Sequence, residues 1–238
     1  MNKLESVHIS KAFKKRTVVH NVSVEVEQGE IVGLLGPNGA GKTTTFLMIL
    51  GIHIPDTGTI HLNGRDITRL PVYIRAREGI SFLPQEPSVF KGLTVRENVL
   101  AIMDMYDKQK SMDVESILSE MGLLELSNRK AYLLSGGERR RLEIARSLVL
   151  SPDFLLLDEP FAGIDPIQIN ELQTLIQSFK ERGLGVIITD HNVREILKIT
   201  DRSYIINKGE IIFKGDSKTL IANDRVKEEY LGKEFRWN

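Results

Sequence analysis

Gly36-Pro37-Asn38-Gly39-Ala40-Gly41-Lys42-Thr43-Thr44 packs three glycines, one lysine and two hydroxyls into nine residues. Its first eight fit G-x-x-x-x-G-K-[ST] in full. Glycines let a backbone wrap closely round an anion, because no Cβ blocks the dihedrals this needs. Successive N–H groups and the start of the following helix then offer partial positive charge to phosphate oxygens. Lys42 adds a full charge near the β- and γ-phosphates, and the Thr43 hydroxyl can ligate Mg²⁺. The bland alternative is a glycine-rich turn. Against it, the string lies between an apolar run, Ile31–Leu35, and a helical pattern from about Lys42 to Leu50, which is the context the chemistry demands.

A second group is Asp158-Glu159-Pro160, directly after the apolar run Phe154–Leu157. Ligands of open α/β sheets bind beyond the carboxyl ends of the strands, so both carboxylates should face the phosphate loop. Asp158 is the metal-holding candidate and Glu159 the group to orient and polarise an attacking water. Alone, Asp-Glu at a strand end reads as a solvated turn; the upstream loop changes that. A third group is Leu134-Ser135-Gly136-Gly137-Glu138, where Ser135 and Glu138 have capping-box spacing. That puts Gly136 and Gly137 in a first helical turn, where N–H groups lack intrahelical partners and form a second anion site.

The elements that must position these groups follow from periodicity. Leu4–Ile9 and Val18–Val26 read as strands of an antiparallel N-terminal sheet, and Thr59–Leu62 as a further short strand. Thr94 and Glu97 form another capping box, after which Val95, Val99, Ile102, Met103 and Tyr106 recur at helical spacing. Ile117, Leu118 and Met121 suggest a second helix. A helical insert over roughly 88–145 thus divides an α/β pattern, which resumes with a helix over Pro166–Arg182, a strand over Leu184–Ile188, a helix over Asn192–Thr200 and a hairpin over Ser203–Phe213. Strands alternating with helices predict a mostly parallel sheet. One domain spanning 1–238 accommodates all of this.

The Leu134–Glu138 string resembles the signature of the ATP-binding-cassette (ABC) ATPases, and the resemblance covers nearly the whole chain with the motifs in the family's order. It implies an α/β fold: a P-loop (RecA-like) nucleoside-triphosphatase core with an N-terminal antiparallel β subdomain and an inserted helical subdomain. It also implies ATP and Mg²⁺ as ligands. Gln85 looks like the glutamine that senses Mg²⁺ and γ-phosphate. Ala162–Asp165 looks like the loop that crosses the dimer interface. His191 looks like the histidine that contacts γ-phosphate, where a lone histidine read without the family would be structural. Phe13 stands where the family keeps an aromatic, usually tyrosine, against adenine; phenylalanine retains the π-face, although an aromatic in a hairpin serves equally as core filler. Ser135, Gly136 and Gly137 would close on the partner's ATP in a head-to-tail homodimer. Two integral membrane permease subunits would be the other partners, with the chain peripheral on the cytoplasmic face of the inner membrane.

Within the family, Ile188-Thr-Asp-His-Asn-Val-Arg-Glu195 and Glu229-Tyr-Leu-Gly-Lys-Glu-Phe235 resemble the ATPases that power lipopolysaccharide export in Gram-negative bacteria. The ATPases of branched-chain amino-acid importers share the Tyr-Leu-Gly ending but differ at the signature and after the histidine. The iron–sulfur assembly ATPase carries Ser-Gly-Gly-Glu but departs from Asp-Glu-Pro, and Pro160 is present here.

Composition is consistent with this. Lys+Arg and Asp+Glu are 32 each, so no global field marks a nucleic-acid binder, and none is expected as a partner. The absence of cysteine excludes disulfides and thiolate-held zinc or iron–sulfur centres. Met1–His8 lacks the apolar core of a secretory leader, and the apolar runs fall far short of the roughly 20 residues a membrane span needs. In Glu86–Gly92, Phe90 and Lys91 sit in a Pro/Gly-bounded loop. The family resemblance places this loop beside the permease groove; the alternative is a Phe90 packed in the helical lobe's own core.

Overall fold

The computed structural model describes residues 2–105 and 113–232. Tyr106 of the expected helix and Lys233–Phe235 of the C-terminal string lie outside the described residues.

Two sheets form. The first is antiparallel, from β1 (Lys3–Phe13), β2 (Arg16–Glu27), β4 (Thr57–Leu62) and the short β5 (Arg65–Asp66), in the order β2-β1-β4-β5. The second takes β3 (Ile31–Leu35), β6 (Ile80–Leu83), β7 (Phe154–Asp158), β8 (Gly185–Thr189), β9 (Arg202–Asn207) and β10 (Glu210–Gly215), in the order β10-β9-β3-β8-β7-β6. Only the β9–β10 hairpin at its edge is antiparallel; the other four pairings are parallel. The all-apolar run Ile31–Leu35 reads this way because β3 is covered on both faces.

Alternation along these strands sorts side chains into two cores. Ile31, Leu35, Leu155, Leu157, Val186 and Ile188 face one core, with the helical lobe and α6 (Pro166–Glu181). Val32, Leu34, Phe154, Leu156 and Ile187 face the other, with the antiparallel sheet and Phe46, Met48 and Ile49 of α1 (Lys42–Ile49). A period of two in one sheet therefore binds both halves of the molecule together. Truncating a strand leucine such as Leu156 to Ala costs about 2–5 kcal/mol.

The helical lobe contains α3 (Val95–Met103), α4 (Val114–Glu120) and α5 (Gly136–Leu148). Both expected capping boxes are present, Thr94 with Glu97 and Ser135 with Glu138. Asp113 caps α4, and Asp165 caps α6 just ahead of Pro166. Such caps are worth about 1 kcal/mol each and fix where each helix begins. α5 continues to Leu148, three residues past the expected edge of the insert.

Other differences are local. The expected helix over Asn192–Thr200 is the shorter α7 (Val193–Leu197), because the Ile199 and Thr200 amides both donate to the Ile196 carbonyl and tighten the last turn. β6, the helix α2 (Val72–Arg77) and the helical turns over Ser217–Leu231 had no sequence expectation.

Candidate functional site: a phosphate cleft beside a capped glycine helix

β3 ends where the loop 36–41 begins, and α1 starts at Lys42 behind it. Gly41 has φ +110°, and a Cβ there would lie 2.9 Å from the Val18 carbonyl. Only glycine allows the loop to turn so tightly against β2. The turn is closed by Ala40 N–H donating to the Pro37 carbonyl at 3.1 Å, and Thr45 Oγ1 donates to the Gly41 carbonyl at 2.9 Å. Lys42 is buried, and its Nζ donates to the carbonyls of Gly36 and Pro37 at 2.8 and 3.1 Å, so the ammonium is folded over the loop. Burial pushes Lys42 below its usual range, opposed by Glu159, Asp158 and Asp190. It is a desolvated cation that gains from an anion arriving.

β7 delivers the carboxylates. Asp158 is buried, and burial pushes its carboxyl above the usual range against a bond from the Thr43 hydroxyl; the charge of Glu159 adds to the rise. Glu159 is held at φ +48°, a left-handed conformation that costs a residue with a Cβ roughly 1–3 kcal/mol. Its N–H donates to the Thr189 carbonyl at 2.8 Å, anchoring that strained turn across to β8. Its Oε2 accepts from Gln85 Nε2 at 2.9 Å and lies 3.6 Å from His191 Nδ1, with the histidine side chain 64% exposed.

Val18, Gly39, Lys42, Gln85, Glu159 and His191, with Asn38, Gly41, Thr43 and Thr44, enclose a cleft of about 360 Å³. Three sequence-distant segments thus meet over the loop: Gln85 just past β6, Glu159 just past β7, and His191 just past β8. Among the described residues no cluster of three or more His, Cys, Asp or Glu is placed to hold a metal. The paired oxygens of Thr43 and Asp158 suit a hard cation that takes its remaining ligands from phosphate and water, and Mg²⁺ is such a cation.

Two groups expected from sequence lie elsewhere. Ser135 and Gly136 are exposed at the start of α5, and Gly137 is buried beneath Gln168, whose Oε1 lies 2.6 Å from where a Cβ would be. The neighbour of Gly136 is the Gly163 carbonyl, 3.7 Å from where its own Cβ would be, so the glycine helix start adjoins the loop over 162–165 rather than the cleft. Phe13 is 41% exposed and does not line the cleft; its ring meets His53 edge-on at 5.3 Å.

Two residues not singled out from the sequence hold the cleft together. Arg140 of α5 is buried and donates to the carbonyls of Pro84, Asp158, Glu159 and Pro160 at 3.0–3.2 Å and to Glu143 at 2.8 Å. One guanidinium therefore ties the glycine-capped helix to the turns carrying Gln85 and Glu159. Asp190, fully buried, accepts from the amides of Phe161 at 3.0 Å and Asn192 at 2.9 Å, fixing the turn that presents His191. Arg140 was detectable in principle: Gly137, Arg140, Ile144 and Leu148 share one helical face, and the other three are small or apolar.

A phosphate loop followed by strand-end carboxylates on a mostly parallel sheet defines a P-loop nucleoside triphosphatase. The model of the ABC transporter family matches residues 19–162. The chain is 50% identical to "Lipopolysaccharide export system ATP-binding protein LptB" of Acidithiobacillus ferridurans, over 98% of each chain. It is 46% identical to the protein of the same name in Escherichia coli (strain K12), over 99% of this chain and 100% of that one. Among solved structures, it resembles the ADP conformation of an ATP-binding cassette of an ABC transporter, with a TM-score of 0.86 and 30% identity over 98% of this chain and 100% of that chain. The chain belongs to the ABC transporter family, as an ATP-binding subunit that hydrolyses ATP. Subunits of this kind work with membrane permeases, and among the described residues no helix is long and apolar enough to cross a membrane.

Proposed function

We propose that this subunit powers lipopolysaccharide export from the inner membrane, acting as a head-to-tail homodimer on the cytoplasmic face beneath two permease subunits. Supporting the cargo is the match to LptB-named relatives along essentially the full length of both chains. The hydrolytic roles rest chiefly on the Glu159 carboxylate, held by Gln85 and faced by His191 over the phosphate loop.

Lys42 and the amides of the loop 36–44 take the phosphates, replacing the two carbonyls that Lys42 now contacts. Thr43, Asp158 and Gln85 would hold Mg²⁺, which would supply neutralisation of the phosphate charge when bound. Glu159 accepts the proton of the attacking water, and its strained turn keeps the carboxylate aimed into the cleft. His191 donates toward the γ-phosphate. Phe13 stacks on adenine with His53 behind it. Ser135, Gly136 and Gly137 complete the partner's site, which fits the exposure of Ser135 and Gly136 at the start of α5.

Permease docking is assigned to a groove of about 220 Å³ between the core and the helical lobe, lined by Val72, Ala76, Phe82, Ile102 and Arg146 among others. Phe90 lies at its side, 47% exposed, with the Arg146 guanidinium 4.6 Å over its ring. That exposure favours an anchor over the core role left open by the sequence. Purifying the chain from gently solubilised membranes and identifying its integral partners tests the assignment. A lipopolysaccharide-export permease pair is expected; recovery of amino-acid permeases instead would overturn it.

A further inference from the structure

Arg75 is one of the largest fully buried side chains, 1% exposed. Arginine is almost never buried this completely without a partner. Here the partners are main-chain carbonyls: Met48 at 2.9 Å and Ile49 at 2.6 Å through Nη1, Thr68 at 2.7 Å through Nη2, and Leu70 at 2.9 Å through Nε. Burial pushes the guanidinium down to about 10, opposed by the charge of Asp66.

Met48 and Ile49 are the last turn of α1, the helix whose first two residues are Lys42 and Thr43. Carbonyls at a helix end lack intrahelical partners, and a cation there also complements the helix dipole. The backbone is shaped to admit this cation. Gly51 has φ +79°, and a Cβ there would lie 2.7 Å from Arg75 Nε and 2.8 Å from the Leu70 carbonyl. On its other side Arg75 lines the groove between core and helical lobe, together with Val72 and Ala76 of its own helix. It stands between that groove and the rear of the phosphate-loop helix.

We propose that Arg75 is a positioning residue for ATP: a strut from the groove floor to the rear of α1 that holds Lys42 and Thr43 in register at the front. Eight helical residues make a lever of only about 12 Å, short enough that a shift at Ile49 reaches Lys42 undiminished. The inference rests on Lys42 and Thr43 being the phosphate contacts.

The test uses the full chain and a fluorescent ATP analogue, well below each variant's melting temperature. Arg75→Met fills the space without the donors. Arg75→Lys keeps the charge but cannot reach four carbonyls. Gly51→Ala presses on the guanidinium without removing it. Ile176→Val, in the opposite core, controls for general destabilisation. The analogue's dissociation constant should rise about tenfold in Arg75→Met, roughly what one weakened charge-assisted hydrogen bond to phosphate is worth. It should rise less in Arg75→Lys and stay at the wild-type value in Ile176→Val. Wild-type affinity in a folded Arg75→Met, with only the melting temperature lowered, would reduce Arg75 to a helix cap and overturn the strut. If that variant does not fold, Arg75→Lys and Gly51→Ala decide by the same measure. Lys42→Ala runs alongside: should it also bind normally, the phosphate-loop reading has failed and the strut falls with it.

Discussion

In the cleft, Lys42, Asp158 and Glu159 turn inward and are answered within the chain, by two carbonyls, a threonine hydroxyl and a glutamine amide respectively. On the helical lobe, Ser135, Gly136 and Phe90 turn outward. Asn98 keeps Phe90 there: its amide, buried in α3, accepts from Phe90 N–H at 2.8 Å and donates to the Phe90 carbonyl at 3.0 Å. The contrast teaches a division of labour. The chain answers the charges of its cleft internally but leaves Ser135, Gly136 and Phe90 exposed, and α5 joins the two regions through Arg140.

The largest effect expected is inside the cleft. Glu159→Gln keeps the shape and the contact to Gln85 but removes the proton acceptor, so hydrolysis should fall by about 10²-fold or more. ATP should still bind, and the protein should collect as an ATP-bound dimer on size exclusion. Near-normal turnover would sink the assignment of Glu159.

How legible each region was depends on local signals. Gly36–Thr44 and the two capping boxes are short strings whose meaning is carried by adjacent residues, and strands β3, β7 and β8 announce themselves as apolar runs. Arg75 was opaque for the opposite reason, and Arg140 was betrayed only by the small and apolar company of its helical face. In sequence a charged residue reads as solvated, and Arg139-Arg140-Arg141 looks like one surface run, although only Arg140 among the three is buried. Apart from Glu143, its partners are backbone carbonyls, which leave no trace in residue type. β6 is four residues long behind a glycine, too short for its periodicity to register. That Ser135–Gly137 serve another chain is a proposal that rests on the family resemblance alone, since a capped helix start is self-consistent by itself.

On the outward side, Phe90→Ala should weaken association with the permease subunits by about 2 kcal/mol, roughly 30-fold, as for a half-exposed aromatic anchor. Free-chain hydrolysis and melting temperature should stay close to wild type. A loss of about 3–5 kcal/mol of stability would instead mark a core residue. Full recovery of the complex would remove Phe90 from the interface. Between the regions, Arg140→Lys should lower kcat about tenfold with little change in KM for ATP, because one ammonium cannot serve the carbonyls of Pro84, Asp158, Glu159 and Pro160 together. If kcat holds while only the melting temperature drops, Arg140 is a packing residue.

The smallest effect expected is the most direct test of the contrast. A Lys42→Ala chain lacks the inward half of the site, and a Ser135→Arg chain has its outward half blocked by a bulky cation at the helix start. Neither should hydrolyse ATP alone if each site needs one half from each subunit. Mixed in equal amounts under conditions that let subunits exchange, random pairing makes half of the dimers mixed. Each mixed dimer has one site built from an intact loop and an intact glycine helix, so activity should return to about a quarter of wild type. Were both halves drawn from the same chain, every site in a mixed dimer would still carry a defect and mixing would restore nothing. Return of activity therefore requires the outward glycines of one chain to face the inward cleft of another, and its absence, with exchange verified, would confine each site to a single chain.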